Sequence, residues 1–181
     1  MKLGAIVLTG GASTRMGTDK AALVWSGQRA VDRVVELALL CAAEPVMTVG
    51  TQGYGPPHLV DSELSGGPVG GIMTGRRALL AAGCTRALIL AVDAPMLSAF
   101  DLAPLLASGA PGAAYEGLHL PMIMDLTSFP DGADAGWPLA RLIERAGLAR
   151  VWCSPDSFER IRGANTLEEW ENLQRRLENG L

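Results

Sequence analysis

Leu3-Gly4-Ala5-Ile6-Val7-Leu8 runs without a break into Thr9-Gly10-Gly11-Ala12-Ser13-Thr14-Arg15-Met16-Gly17-Thr18-Asp19-Lys20. The first part is an apolar run with no polar alternation, the pattern of a strand buried on both faces. Such strands belong to parallel sheets covered by helices, and ligands bind beyond the carboxyl ends of those strands. The glycine-rich segment leaves such an end. Gly10 and Gly11 let backbone N–H groups converge on an anion with no Cβ in the way. Arg15 adds a planar fork for phosphate oxygens, and Lys20 a mobile point charge. The loop therefore suits a triphosphate.

The same alternation continues along the chain. Val46–Val49, His58–Val60 and Ala87–Val92 (ALILAV) are further short apolar runs of strand type. Between them, Val31, Val34, Val35, Ala38 and Leu39 recur at helical spacing and mark one buried stripe. A second helix is expected from about Gly70 to Ala82, stopping at Gly83. Ser98 with Asp101 has the form of an N-cap pair for a third. Pro138 in a first turn, then Leu139, Leu142, Ile143 and Ala146 with Gly147 after them, describe a fourth. Thr166 and Glu169 suit a capping box, and Leu167, Trp170, Leu173 and Leu177 supply the apolar side of a last helix. Strands alternating with helices predict an α/β fold in three layers, a mostly parallel sheet with helices on both faces. Two strands near Ala113–Gly117 and His119–Asp125 are expected to add a mixed or antiparallel extension. No repeat, low-complexity linker or charge block divides the chain, so residues 1–181 are expected to form a single domain.

Composition narrows the function. With 181 residues, 49% apolar and 19% charged, the profile is globular and long enough to bury a core. The 22 glycines exceed the average share of about 7%, which points to positive-φ turns or to loops pressed against a ligand. A net charge of -4 and a pI near 5.2 argue against binding nucleic acid through phosphate neutralisation. Cys41, Cys84 and Cys153 are odd in number and far apart, so they read as three buried small apolar residues in a reducing cytosol. No apolar run approaches the ~18 residues of a membrane span. Leu3–Leu8 is also shorter than the ~7–15-residue core of a signal peptide. The expectation is a soluble, cytoplasmic protein that binds neither nucleic acid nor membrane.

The glycine loop is neither of two common phosphate-binding patterns. GxGxxG would need glycine where Ala12 and Arg15 stand, and GxxxxGK[ST] is absent because Lys20 lies between Asp19 and Ala21. As it stands, LTGGASTRMGTDKAAL (residues 8–23) resembles the signature L-x-G-G-x-S-x-R-M-G-x-D-K-x-x-L of the MobA-like nucleotidyltransferases, which include the molybdenum cofactor guanylyltransferases. Three later segments are similar to family motifs in the same order. They are Asp61 with Gly66–Ile72 (D…GPLAGI), Asp93-Ala94-Pro95 (D-x-P) and Asn165–Glu169 (N-T-P-E-[DE]). Leu167 stands where Pro is usual and Thr9 where Ala is usual; neither departure removes a charged group. Few family positions fall between Met96 and Ala164.

Several of these residues also have a reading of their own. An Asp ending a buried strand, with a Pro two residues on, suits a hard cation, and Mg²⁺ takes few carboxylates with waters and substrate phosphates. That favours Asp93 as the metal ligand, against a role capping the turn that follows. The Gly66–Gly71 segment leads into a helix, where glycine admits a flat base and the helix start favours negative charge; a plain turn is the alternative. Asp61 read alone is an Asx-turn residue, and Asn165 an ordinary turn residue before the Thr166 cap. His58 and His119 are isolated, with no metal-ligand spacing, and read as structural histidines, although His119 with Pro121 lies near the segment expected to face an acceptor. Met73, Met96, Met122 and Met124 read as core filler. No GxSxG or Cys/His arrangement supports nucleophilic catalysis.

The resemblance implies the nucleotide-diphospho-sugar transferase type of Rossmann-like fold. It implies transfer of GMP from GTP to the phosphate of molybdopterin, with Mg²⁺ as cofactor and pyrophosphate as leaving group. Leu8, Thr9, Gly10, Gly11, Ser13, Lys20, Asp61, Gly67, Gly70 and Asp93 then bind the nucleotide. Arg15, Lys20 and Asp93 are the catalytic set, and Asp93 with Asn165 holds the metal. Pathway proteins that insert or receive the cofactor are implied in the same way. GTP is favoured over CTP by Gly10-Gly11 and Asp19-Lys20. A cytidylyltransferase, a transferase for another phosphorylated acceptor, and a nucleotide-binding protein without turnover remain open at this stage.

Overall fold

The run Leu3–Leu8 forms β1, inside a seven-stranded sheet, with strands bonded to it on both sides. The computed structural model describes residues 1–10, 19–50, 52–55, 57–60, 67–94, 96–164 and 166–178. After β1 come β2 (Val24–Trp25), β3 (Gln28–Arg29), α1 (Ala30–Leu40), β4 (Val46–Gly50), β5 (His58–Val60) and α2 (Gly67–Ala81). Then follow β6 (Arg86–Ala91), α3 (Ala99–Leu106), β7 (Gly112–Tyr115), β8 (Met122–Asp125) and α4 (Leu139–Arg145). The chain closes with β9 (Ala149–Val151), α5 (Pro155–Ile161) and α6 (Leu167–Glu178).

The sheet order is β5-β4-β1-β6-β8-β7-β9. β1 is parallel to β4, with Ala5 opposite Val46, and parallel to β6, with Ala5 opposite Leu88. β8 runs antiparallel to both β6 and β7, so the expected mixed extension is present. Arg86 and Asp125 face each other in that β6–β8 register and form a largely buried ion pair of 2.7 Å.

Period-two alternation divides the interior into two cores. Ala5 and Val7 of β1, with Leu88 and Leu90 of β6, pack against Val31 and Val34 of α1, Leu102 and Leu105 of α3, and Trp170 of α6. Ile6, Leu8 and Ile89 face the other way, onto Val69, Ile72 and Leu79 of α2 and Leu142 and Ile143 of α4. The result is the expected three-layer α/β/α sandwich. α2 lies directly on β1 because Gly75 has no side chain: a Cβ there would stand 2.8 Å from Cγ1 of Ile6.

Boundaries differ from expectation in physically readable ways. The ALILAV strand begins one residue earlier, at Arg86, and Val92 belongs to the turn after it. α1 buries Leu37 rather than Leu39, which is 50% exposed, so the stripe turns one residue around the helix. α2 begins at Gly67, three residues ahead of Gly70, and ends as expected before Gly83 at φ +76. Pro138 is the N-cap of α4, outside the helix at ψ 147, rather than a first-turn residue. The extension strands are shorter than read, beginning at Gly112 and Met122. Of the cysteines only Cys84 is buried; Cys41 and Cys153 are half-buried, and all three are free. Met122 and Met124 fill the core, whereas Met73 and Met96 are only half-buried. Ser98 and Asp101 form the expected reciprocal capping box, as do Thr166 and Glu169. Among the described residues, no helix is long and apolar enough to cross a membrane.

Candidate active site

The carboxyl edge of β1 delivers Leu8, Thr9 and Gly10. Leu8 is buried in the α2-side core, and Gly10 is exposed. Thr9 is fixed by two bonds to the carbonyl of Val49, one from its backbone N–H at 2.9 Å and one from its hydroxyl at 3.1 Å. Gly11, Ser13 and Arg15 lie outside the described residues, as do Asp61 and Asn165.

The chain re-enters at Asp19, the N-cap of a short 3₁₀ turn over Lys20–Ala22. One carboxylate oxygen of Asp19 accepts from the backbone N–H of Ala21 at 3.0 Å, and the other accepts from the hydroxyl of Tyr54. Tyr54 is itself held, because Nη2 of Arg29 donates to its carbonyl at 3.1 Å. Burial, the Asp19 hydrogen bond and the Asp19 charge all push the Tyr54 phenol well above its usual range, so it stays a donor. Lys20 thus sits on a turn whose cap is pinned from the β4–β5 connection.

Three distant segments meet at Lys20 and Asp93. Nζ of Lys20 donates to the carbonyl of Ala164 at 2.8 Å. The N–H of Ala164 donates to the carbonyl of Asp93 at 2.9 Å. Gly163 sits at φ +49, and a Cβ on it would stand 2.9 Å from the Asp93 carbonyl oxygen and 3.1 Å from Cγ. Only a residue without a side chain lets this segment lie so close to Asp93 in that backbone conformation. Burial pushes the Asp93 carboxyl up, and the Lys20 cation opposes it.

A cleft of about 520 Å³ opens at Asp93 and Gly163. Its walls include Leu120, Phe158, Arg162 and His119, so His119 is an exposed cleft residue rather than a buried structural one. His58 keeps the structural reading, with Nδ1 at 3.0 Å from the hydroxyl of Thr48. Gly67 is the exposed start of α2 at φ +64, while Gly70 is buried in the first turn. Of the expected nucleotide and metal residues, the fold brings together Lys20 and Asp93, with Leu8–Gly10 at the end of the neighbouring strand. Among the described residues, no group of three or more His, Cys, Asp and Glu gathers as a metal cage. One half-buried carboxylate beside a cation is the sparse oxygen donor set that Mg²⁺ accepts when phosphates complete its shell.

Tyr54, Gly163 and Arg162 are absent from the sequence reading. Gly163 had a signal, a glycine two positions before Asn165. Tyr54 had none, because the Gln52–Tyr54 stretch has neither periodicity nor a motif.

Comparison with known proteins shows the family and agrees with the fold. Residues 5–125 match the family model of the MobA-like NTP transferase domain. The chain is 31% identical over 179 residues to a molybdenum cofactor guanylyltransferase of Xanthomonas euvesicatoria pv. vesicatoria, covering 93% of this chain and 92% of the relative. Its fold is similar to that of a Methanothermobacter nucleotidyl transferase, with TM-score 0.74 and 17% identity over 99% of both chains. It is also similar to a molybdopterin-guanine dinucleotide biosynthesis protein A from Archaeoglobus fulgidus, with TM-score 0.66 and 14% identity, covering 98% of this chain and 100% of that one.

Proposed function

Given that the chain belongs to the MobA-like NTP transferase family, we propose that it transfers GMP from GTP to the phosphate of molybdopterin, yielding molybdopterin guanine dinucleotide and pyrophosphate. The observation that carries this reading is the Lys20–Ala164–Asp93 junction, which puts a cation and a carboxylate beside the carboxyl end of β1. The relative's name supplies the guanylyl specificity and the acceptor.

In the reaction, an oxygen of the acceptor phosphate attacks the α-phosphorus of GTP and a new P–O bond forms. The bond from the α-phosphorus to the bridging oxygen breaks, and its electron pair leaves with pyrophosphate. The attacking phosphate is already ionised at neutral pH, so no proton needs to be removed. What the chain must supply is position and positive charge. The backbone of Leu8, Thr9, Gly10 and Gly11, with Ser13, holds the nucleotide, while Asp61, Gly67 and Gly70 flank its base and sugar. Arg15 and Lys20 balance the charge that builds on the α-phosphoryl oxygens and on the leaving group. Asp93 and Asn165 would hold Mg²⁺, which when bound supplies further positive charge to the phosphate oxygens. Lys20 is already drawn across the site by Ala164, and trading that carbonyl for a phosphate oxygen strengthens the hydrogen bond. The same reading places the protein in the cytoplasm, with pathway proteins receiving the product.

Pyrophosphate release from GTP, CTP and ATP, each with Mg²⁺ and with or without molybdopterin, tests the proposal. Release from GTP that requires both the acceptor and Mg²⁺ is expected. Release preferring CTP reassigns the base, and nucleotide binding without release makes the protein a binding module.

A further inference from the structure

Two stretches of chain that meet at the site are tied together a second time outside it. The first runs from Asp93, in the turn after β6, through Leu97 to Ser98 and α3. The second runs from α5 to Ala164, whose N–H donates to the Asp93 carbonyl at 2.9 Å. Asp101, eight positions beyond Asp93, pairs with Arg160, four positions before Ala164.

That pair is built with more contacts than the site junction itself. Nη2 of Arg160 lies 2.6 Å from one carboxylate oxygen of Asp101, and Nε lies 3.1 Å from both. The Asp101 side chain is fully buried. Ser98 holds it from its own segment, the hydroxyl donating at 2.6 Å and the backbone N–H at 3.1 Å. On the α5 side, Nη2 of Arg160 also donates to the hydroxyl of Ser157 at 3.1 Å. The phenol of Tyr115, in β7, donates to the Asp101 carbonyl and anchors the pair to the sheet.

α5 needs such a tie. It has seven residues, too few to hold a helix alone, so contacts with the rest of the fold set its place. Ile161 adds burial in the core beside Leu97 and Leu102, but apolar contact has no direction. A guanidinium fork on a carboxylate fixes orientation as well as distance. Stability alone does not call for the pair, because well-packed apolar residues often serve as well as a buried ion pair.

We propose that Asp101 and Arg160 are positioning residues for the site. Their pair sets where α5 ends, which holds Ala164 against Asp93 and presents its carbonyl to Lys20. Neither side chain touches substrate. The consequence for turnover rests on the transferase reading above, whereas the hold on Ala164 does not.

The test compares Arg160→Ala and Arg160→Lys with Arg86→Ala, which breaks a second, largely buried ion pair. Arg86 opens β6 and Asp93 follows its other end, so this control loses a similar contact remote from the site. Amide hydrogen exchange at Ala164 is expected to be about tenfold faster in Arg160→Ala than in Arg86→Ala. At a temperature where every variant is folded, kcat of Arg160→Ala should fall about tenfold with the GTP KM within about twofold. Arg86→Ala should keep the wild-type kcat. Arg160→Lys, which keeps the charge and loses the fork, should fall between wild type and Arg160→Ala in both readouts. Should Arg160→Ala not fold, Arg160→Lys carries both comparisons, with changes of about threefold expected. Exchange at Ala164 no faster in the Arg160 variants than in Arg86→Ala overturns the proposal. So does a wild-type kcat in the Arg160 variants, or an equal loss of kcat in Arg86→Ala. Absence of turnover by the wild-type protein would instead overturn the transferase reading, and exchange at Ala164 then decides whether the pair holds it.

Discussion

Lys20 reaches across the mouth of the site to the carbonyl of Ala164, 2.8 Å away and 144 positions along the chain. That contact ties the 3₁₀ turn carrying Lys20 to the segment that follows α5, and the Ala164 N–H ties the same segment to Asp93. On the proposed function, the side chain that would meet the phosphates is parked on a backbone oxygen that a substrate can replace.

Lys20→Ala removes the parked bond and, on the proposed function, the charge offered to the triphosphate. We expect kcat to fall by about 10²–10³, the range for a lost transition-state donor. Tm should move by no more than a few degrees, because the side chain lies at a half-buried surface. Purified variant and wild type compared by pyrophosphate release and thermal unfolding check both statements.

Tyr54→Phe tests the second layer of support. The phenol donates to Asp19, the cap of the turn that carries Lys20. Losing one such bond costs about 1 kcal/mol, and kcat should drop about fivefold with the GTP KM little changed. A variant as active as wild type would show that Lys20 is placed without Tyr54.

Much of this was legible in the sequence, and the reason is local. β1 and β6 are buried on both faces, so their apolar runs stand out from the helices around them. The Ser98–Asp101 and Thr166–Glu169 boxes are fixed by residues three apart. What escaped notice is short or held from afar. β2 and β3 are two residues each, joined by Ser26 and Gly27 at φ 46 and 84, and no period can show in so few residues. Their place is set by Trp25, whose ring centroid lies 3.8 Å from that of Trp170 in α6. β9 has three residues and is recognised only by its pairing with β7. α5 had a readable start in Ser154-Pro155 but is only seven residues long. The site divides in the same way. Asp93 and Lys20 sit in motifs, whereas Tyr54, Arg162 and Gly163 gain their roles only when distant segments meet.

Gly163→Ala should separate positioning from stability. At φ +49 an alanine costs about 1–2 kcal/mol, and its Cβ presses on the Asp93 carbonyl and carboxyl carbon. Tm is expected to fall by a few degrees. Turnover should fall at least tenfold even at a temperature where the variant is fully folded, because Asp93 is displaced. Unfolding scans and kinetics at low temperature distinguish the two effects.

The Asp101–Arg160 pair predicts a pH dependence of stability away from the site. Asp101 is buried, which alone would raise its pKa, but hydrogen bonds from Arg160, Ser98 and Ser157 hold it below the ordinary carboxylate value. A carboxyl with a depressed folded-state pKa stabilises the protein above its unfolded value, about 3.9, and loses that contribution as pH falls through the folded value. Arg160→Ala leaves a buried carboxylate unpaired and should cost about 3 kcal/mol at neutral pH. The difference from wild type should shrink as pH drops below about 4. Urea unfolding from pH 3 to 8 measures it, and a gap that stays constant would contradict the assigned pair.

The most direct measurement follows the α-phosphate itself. GTP labelled at the α-phosphorus is incubated with Mg²⁺, molybdopterin and the protein, and the products are separated. The account predicts that the label moves into a molybdopterin dinucleotide with one pyrophosphate released per label, and that Asp93→Asn nearly abolishes the transfer. Label that stays in the nucleotide, or that moves equally well with Asp93→Asn, would contradict it.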